Sequence, residues 1–169
     1  HQFSTNTLVA GVHTVTLTGT DTTNLSGSDT ITFRVNTPPT TPTVSLSPDP
    51  VYGDDILTAT ATGSTDDDGD TVSYTYQWYE DGTLSSSTLS TVSASELDVG
   101  EVWTVRVTPN DGYTDGAYTE TNITISNSDP TLTSPVISSG TGTVYNDSVV
   151  TCTATATDID EVVTPSYTW

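Results

Sequence analysis

The sequence has no lysine and no methionine, one cysteine, two histidines, and only Arg34 and Arg106 as basic residues. Against 22 aspartates and glutamates this leaves a formal charge of -20. Nucleic-acid phosphates are held by basic stripes, which two arginines cannot build, so DNA and RNA are excluded as partners. No apolar run reaches the length of a membrane-spanning helix. No basic segment followed by an apolar one marks a secretory leader. A chain that starts at His1 and lacks methionine reads as an internal stretch or a processed product. Catalytic sets are also missing. His1 and His13 have no serine or cysteine nucleophile near them in the pattern, and no glycine-rich phosphate loop is present. Asp66 and Asp68 could serve as a glycosidase pair only across a deep groove, of which a clustered turn gives no sign. The chain is expected not to be an enzyme.

What the sequence does have is threonine, 39 residues of it, with 20 serines. Threonine is β-branched and favours strands, and its hydroxyl is well solvated. A strand alternating Thr with Val, Leu or Ile can therefore bury one face and wet the other. Period-two patterns predict strands at 44–46, 56–62, 71–79, 101–108 and 117–125. Leu57, Ala59 and Ala61 share one face, as do Val72, Tyr74, Tyr76 and Trp78, and as do Trp103, Val105 and Val107. Such faces are stable only when covered by a second sheet. Trp78, Trp103 and Trp169 are the expected core tryptophans. Asp81-Gly82 predicts a tight turn, and Asn110-Asp111-Gly112 a hairpin connection.

The chain also repeats itself. Val51-Tyr52-Gly53-Asp54-Asp55 returns as Val144-Tyr145-Asn146-Asp147-Ser148, 93 positions later. Leu57–Thr62 returns as Val150–Thr155, Asp66 and Asp68 as Asp158 and Asp160, and Tyr76-Gln77-Trp78 as Tyr167-Thr168-Trp169. Gly11–Leu17 matches Gly100–Val107, and Ile31–Asn36 matches Asn122–Asn127. A unit of about 91 residues, out of phase with the chain, follows. Residues 1–36 are read as the last strands of one domain, 37–42 as a stiff Pro/Thr-rich linker, and 43–127 as a complete domain. Residues 128–135 form a second linker, and 136–169 the first strands of another domain. The chain is then a window on a longer string, or else the tail of one copy completes the head of the next.

Asp66, Asp67, Asp68 and Asp70 place four carboxylates on one turn. Calcium takes six to eight oxygens, and alternating aspartates with backbone carbonyls can supply them. The turn is no EF-hand, since Thr71 stands where that loop needs glycine. A solvated acidic turn is the competing reading. Asp158 and Asp160 keep part of the pattern but are followed by Glu161 and Val162, and Asp49, Asp54 and Asp55 lie near the junction. Asn24, Asn122 and Asn146 each begin an N-x-S/T acceptor pattern for N-linked glycans.

The acidic turn Asp66–Asp70, the aromatic strand Tyr74–Trp78 and the strand Trp103–Val107 resemble those of bacterial immunoglobulin-like repeats. The likeness is to the polycystic-kidney-disease-type and cadherin-like modules of giant exported surface proteins. Gly11–Leu17 and Asp29–Val35 resemble the last two strands of such a module. The resemblance implies an all-β fold of tandem immunoglobulin-like sandwiches, one complete and two partial. It also implies an extracellular, cell-surface location. Related repeats often pair a cysteine at the position of Cys152 with one in the penultimate strand. Leu17 and Val107 occupy that place here, so a disulfide partner would lie outside the chain; a buried free thiol is the alternative. The expected function is a non-catalytic structural or adhesive segment of a filament, stalk or surface layer, with neighbouring repeats or identical copies as partners. The alternatives are a module appended to a secreted enzyme, binding surface glycans or proteins through Tyr79, Tyr113 and Tyr118, or a subunit polymerising head to tail through complementary half-domains.

Overall fold

The computed structural model describes residues 8–139 and 143–168; Trp169, one of the three expected core tryptophans, lies outside them, as does His1. The described chain is all β apart from one turn of 3-10 helix, Ala94–Glu96, closed by a capping box of Ser93 and Glu96.

A hairpin comes first, β1 (Gly11–Thr20) pairing antiparallel with β2 (Ser26–Val35), Gly11 opposite Val35 and Thr20 opposite Ser26. Its turn is organised by Asp21, whose Oδ1 accepts the Thr23 and Leu25 amides at 2.8 and 2.9 Å. A three-stranded sheet follows, ordered β3 (Thr43–Ser47), β5 (Leu57–Thr62), β8 (Thr91–Val92). A five-stranded sheet is ordered β4 (Val51–Tyr52), β10 (Thr119–Ser126), β9 (Val102–Asn110), β6 (Ser73–Glu80), β7 (Thr83–Leu84). Two short ladders end the chain: β11 (Thr131–Leu132) with β14 (Ala156–Thr157), and β12 (Val136–Ser138) with β13 (Thr151–Thr153).

The expected alternation governs which side chains are buried. In β9, Trp103, Val105 and Val107 are buried while Thr104, Arg106 and Thr108 are half-exposed. In β5, Leu57 and Ala59 are buried and Thr60 is exposed. In β6 only Trp78 is fully buried; Tyr74 and Tyr76 are half-buried, and Val72 precedes the strand. Asp81-Gly82 forms the expected tight turn, both residues at positive φ (46° and 80°), so that Tyr79 faces Leu84.

Asn110-Asp111-Gly112 lies in the connection between β9 and its sheet neighbour β10, as expected; that connection runs over residues 111–118 and is braced by a bridge from Asn110 to Asp115. Asp111 is only 5% exposed and draws the loop around its carboxylate. The 37–42 segment, read as a stiff linker, is held by contacts along its length. Pro39 and Pro42 are buried. The Pro42 carbonyl accepts the Thr119 hydroxyl at 2.6 Å, and the Thr40 amide donates to the Thr65 carbonyl at 2.9 Å. Gly116 lies so close to the Pro39 carbonyl that a Cβ would stand 2.3 Å from it.

The chain forms two compact units. One contains the residues up to Ser45, Thr60–Gln77 and Val105–Thr121; the other contains Leu46–Ala59, Trp78–Thr104 and everything from Asn122 on. In the second unit Trp78 and Trp103 meet edge to face, their ring centroids 6.2 Å apart. Trp78 Nε1 donates to the Leu89 carbonyl at 2.9 Å and Trp103 Nε1 to Glu101 Oε2 at 2.9 Å. In the first unit the β1–β2 hairpin leaves Val15, Leu17 and Ile31 largely in solvent.

Trp78→Ala would open the largest cavity in this core and strand the Leu89 carbonyl. We expect a loss of about 3–5 kcal/mol in equilibrium denaturation, against a much smaller loss for a substitution at exposed Leu89, whose carbonyl the change preserves.

Candidate functional site

The acidic turn is built around its first aspartate. Asp66 Oδ1 accepts the Asp68 amide at 2.8 Å and the Asp70 amide at 3.1 Å, and the turn closes through Gly69, whose φ of 80° suits glycine. Asp68 then reaches back to the preceding segment. Its Oδ2 accepts the Thr37 amide at 2.8 Å and lies 3.4 Å from the Thr37 hydroxyl, which also donates to it. Asp70 pairs with the Arg34 guanidinium. Asp67 is exposed. Carboxylate oxygens of Asp66, Asp68 and Asp70 lie within 4.8 Å of one another. Two oxygens of the set, Asp66 Oδ2 and Asp68 Oδ1, are buried without a hydrogen-bond partner.

Residues not singled out as functional in the sequence complete the arrangement. Arg34 Nε donates to Asn36 Oδ1 at 3.2 Å, and its guanidinium lies 4.4 Å from the centre of the Tyr113 ring. Asn36 Nδ2 donates to Asp111 Oδ2 at 2.8 Å and to its neighbour's carbonyl, that of Thr37, at 3.3 Å. Asp111 Oδ1 accepts the Tyr113 and Thr114 amides at 2.7 and 2.6 Å. Burial pushes the Asp111 carboxyl upward, but these amides, Thr114 foremost, and Asn36 outweigh it and hold the group below the ordinary carboxylate value.

The same construction recurs 91–92 positions later, in the second unit. Asp158 Oδ1 accepts the Asp160 and Glu161 amides at 2.8 and 3.2 Å, and Asp158 Oδ2 is buried without a partner, as Asp66 Oδ2 is. Asp160 Oδ2 accepts both the amide and the hydroxyl of Ser128, each at 2.6 Å. Asn127 Nδ2 donates to the Ser128 carbonyl at 2.8 Å, as Asn36 does to that of Thr37. Thr131 Oγ1 meets the Thr157 carbonyl and hydroxyl, as Thr40 Oγ1 meets those of Thr65. The Ser128 hydroxyl and amide, with the Gly53 amide, overcome desolvation and hold the Asp160 carboxyl low. No acid stands where Asp70 would recur, because Val162 takes that place.

The remaining candidates are separate from these hubs. Asp55 Oδ2 caps its own turn by accepting the Tyr52 amide at 2.9 Å. Asn24, Asn122 and Asn146 are all exposed, Asn122 included, although it lies within β10. Cys152 is a half-buried free thiol opposite Ile137. Tyr113 and Tyr118 are exposed, but Arg34 lies over the first ring and Arg106, which is paired with Glu120 at 2.8 Å, over the second.

A group with a depressed folded pKa stabilises the fold above its ordinary value, 3.8 for Asp111, and that contribution is lost as pH falls through the depressed value. Asp115, bonded to Asn110, and Arg34, stacked on Tyr113, are nearby charged groups. Hydrogen exchange at the Tyr113 and Thr114 amides is expected to accelerate, relative to intrinsic rates, only in acid below that ordinary value. In Asp111→Asn this acid step should vanish; its persistence would assign the step to another carboxylate.

In comparisons with protein-family models, with curated proteins and with solved structures, nothing matched this chain.

Proposed function

We propose that the chain is a stretch of tandem immunoglobulin-like sandwich repeats. In this reading it forms a non-catalytic structural or adhesive segment of an extracellular filament, stalk or surface layer. The observation that carries the reading is the recurrence of one junction pattern, Asn-Thr/Ser held by an Asp-x-Asp turn, at Asn36-Thr37 and again at Asn127-Ser128. A binding pocket or catalytic centre has no reason to recur at the entrance of successive units, whereas a coupling does. In a string of beads each entrance must be fixed to the body that follows it, since a bead contacts only its neighbours. The uniform acidity keeps such beads from collapsing on one another.

Calcium belongs to this proposal at Asp66, Asp68 and Asp70. Two buried oxygens without donors beside a third carboxylate suit a hard cation, which would stiffen the first junction. Asp158 and Asp160 lack the third acid and would bind more weakly. Exposed Asn24, Asn122 and Asn146 are available for glycans in an exported protein.

The apolar face of the β1–β2 hairpin favours one second reading, head-to-tail completion, in which strands of a neighbouring bead or copy cover Val15, Leu17 and Ile31. Light scattering against concentration separates the two: a fixed monomer mass removes head-to-tail polymerisation. For the calcium arm, millimolar calcium is expected to raise the melting temperature by a few degrees, the equivalent of about 1 kcal/mol, and Asp68→Ala to abolish the rise. No calcium effect on melting would remove the cation from the proposal and leave the repeat reading to the scattering data.

A further inference from the structure

The two junction turns share the bonds from Thr37 or Ser128 to the second aspartate, and differ at that aspartate's other oxygen. Asp160 has both oxygens engaged. Oδ2 takes Ser128, and Gly53, in the turn after β4, stands against Oδ1, its amide adding to the donors that hold the carboxyl low. Gly53 approaches on the Oδ1 side: a Cβ there would stand 2.8 Å from Asp160 Oδ1, so the contact requires glycine's lack of a side chain. Asp160 thereby fastens its own turn to Ser128 on one side and to the Val51-Tyr52-Gly53 turn on the other. Asp68 is its counterpart 92 positions earlier. Its Oδ2 takes Thr37 in the same way, but its Oδ1 is buried and unpartnered. The counterpart of Gly53 for this junction, about 91 positions before Gly53, falls ahead of His1.

We infer that Asp68 Oδ1 is a docking point for a preceding repeat, and that it accepts the backbone N–H of a small residue in that repeat's Val-Tyr-Gly-type turn. The inference rests on the tandem-repeat reading above and names the partner surface that reading requires. The partner is a tight turn presenting a bare amide, because the approach seen at Asp160 leaves no room for a Cβ. One aspartate per junction then makes three hydrogen bonds, two to the entering segment and one to the bead behind it. A carboxylate oxygen buried without a donor is costly, and at Asp160 the Gly53 turn is the group that stands against that oxygen.

The test uses the full chain and a version in which a second copy of residues 37–127 is inserted between Asn36 and Thr37. The insertion gives the downstream Asp68 a Gly53 turn immediately before it. Amide exchange is followed by NMR with a calcium chelator present. In the unmodified chain, Asp160→Ala should accelerate exchange at Gly53 and Ser128 by about tenfold or more and leave Thr37 unchanged. In the extended chain, the inserted Gly53 amide should be protected. Downstream Asp68→Ala should remove that protection by a similar factor. Asp68→Asn, which can keep its amide oxygen on Thr37 while turning its nitrogen toward the glycine N–H, should expose Gly53 and spare Thr37. An inserted Gly53 that exchanges equally fast with and without Asp68 overturns the inference. Protection that appears only when calcium replaces the chelator also overturns it, since the oxygen would then be a cation ligand. Scattering on the unmodified chain tests the repeat reading separately: protection at Gly53 alongside a concentration-dependent mass would leave this docking point intact while changing what supplies the preceding turn.

Discussion

A carboxylate taken out of water needs donors, and this chain has almost no cations to offer. With no lysine and two arginines, its partly and fully buried aspartates are satisfied by backbone amides, hydroxyls and one asparagine. Charge-assisted bonds from amides to carboxylates are short and strong, and the amides come at fixed positions in the backbone. Each buried Asp therefore dictates the conformation of the segment that faces it. That is why Asp66, Asp111 and Asp158 shape turns and why Asp68 and Asp160 hold Thr37 and Ser128. Where donors run out, strain shows. Glu101 lies close enough to Glu80 to push the Glu80 carboxyl upward by like-charge repulsion, with Asp81 and Asp98 adding to it. Oxygens such as Asp66 Oδ2 are left open.

The strands obey a simpler rule. Threonine alternating with aliphatic residues gives a half-buried ribbon, and the tryptophans supply bulk where the ribbon meets a core. Trp78 and Trp103 are buried with their indole N–H groups bonded, so neither incurs a desolvation penalty for its polar edge. The hairpin at the start of the chain follows the same alternation but leaves Val15, Leu17 and Ile31 uncovered. Alternation specifies which side of a strand is apolar; it does not specify what covers that side.

Much of this was legible in the sequence, and the limits have physical causes. Period-two patterns located β5, β6 and β9 and their buried faces because burial acts residue by residue. The Asp81-Gly82 turn was legible because positive φ at both positions selects those residues. Residues 37–42 read as a stiff linker because proline stiffens a chain locally, and nothing local reveals that Pro39 and Pro42 are buried. Arg34, Asn36, Thr37 and Asp111 were missed as members of the junction because their bonds span 31 to 75 positions. One signal was available: Asn36-Thr37 returns as Asn127-Ser128 after 91 positions and Asp68 as Asp160 after 92, so the linker and the turn repeat nearly in step.

What differs between the two junctions is as informative as what recurs. Arg34, Asp70 and Tyr113 form a partly exposed ion pair with an aromatic cover, side chains of the pair being 23% and 22% exposed. Val162 in place of Asp70 removes the acid that this pair needs. Surface ion pairs contribute little and are screened by salt, so the second turn lacks one at small cost. The hydrogen bonds from Thr37 and Ser128 serve a half-buried carboxylate, and losing one would weaken the hold on that oxygen. Stability therefore rests more on the Asp-x-Asp turn and its Thr or Ser partner, which both sites have, than on the ion pair, which only the first has.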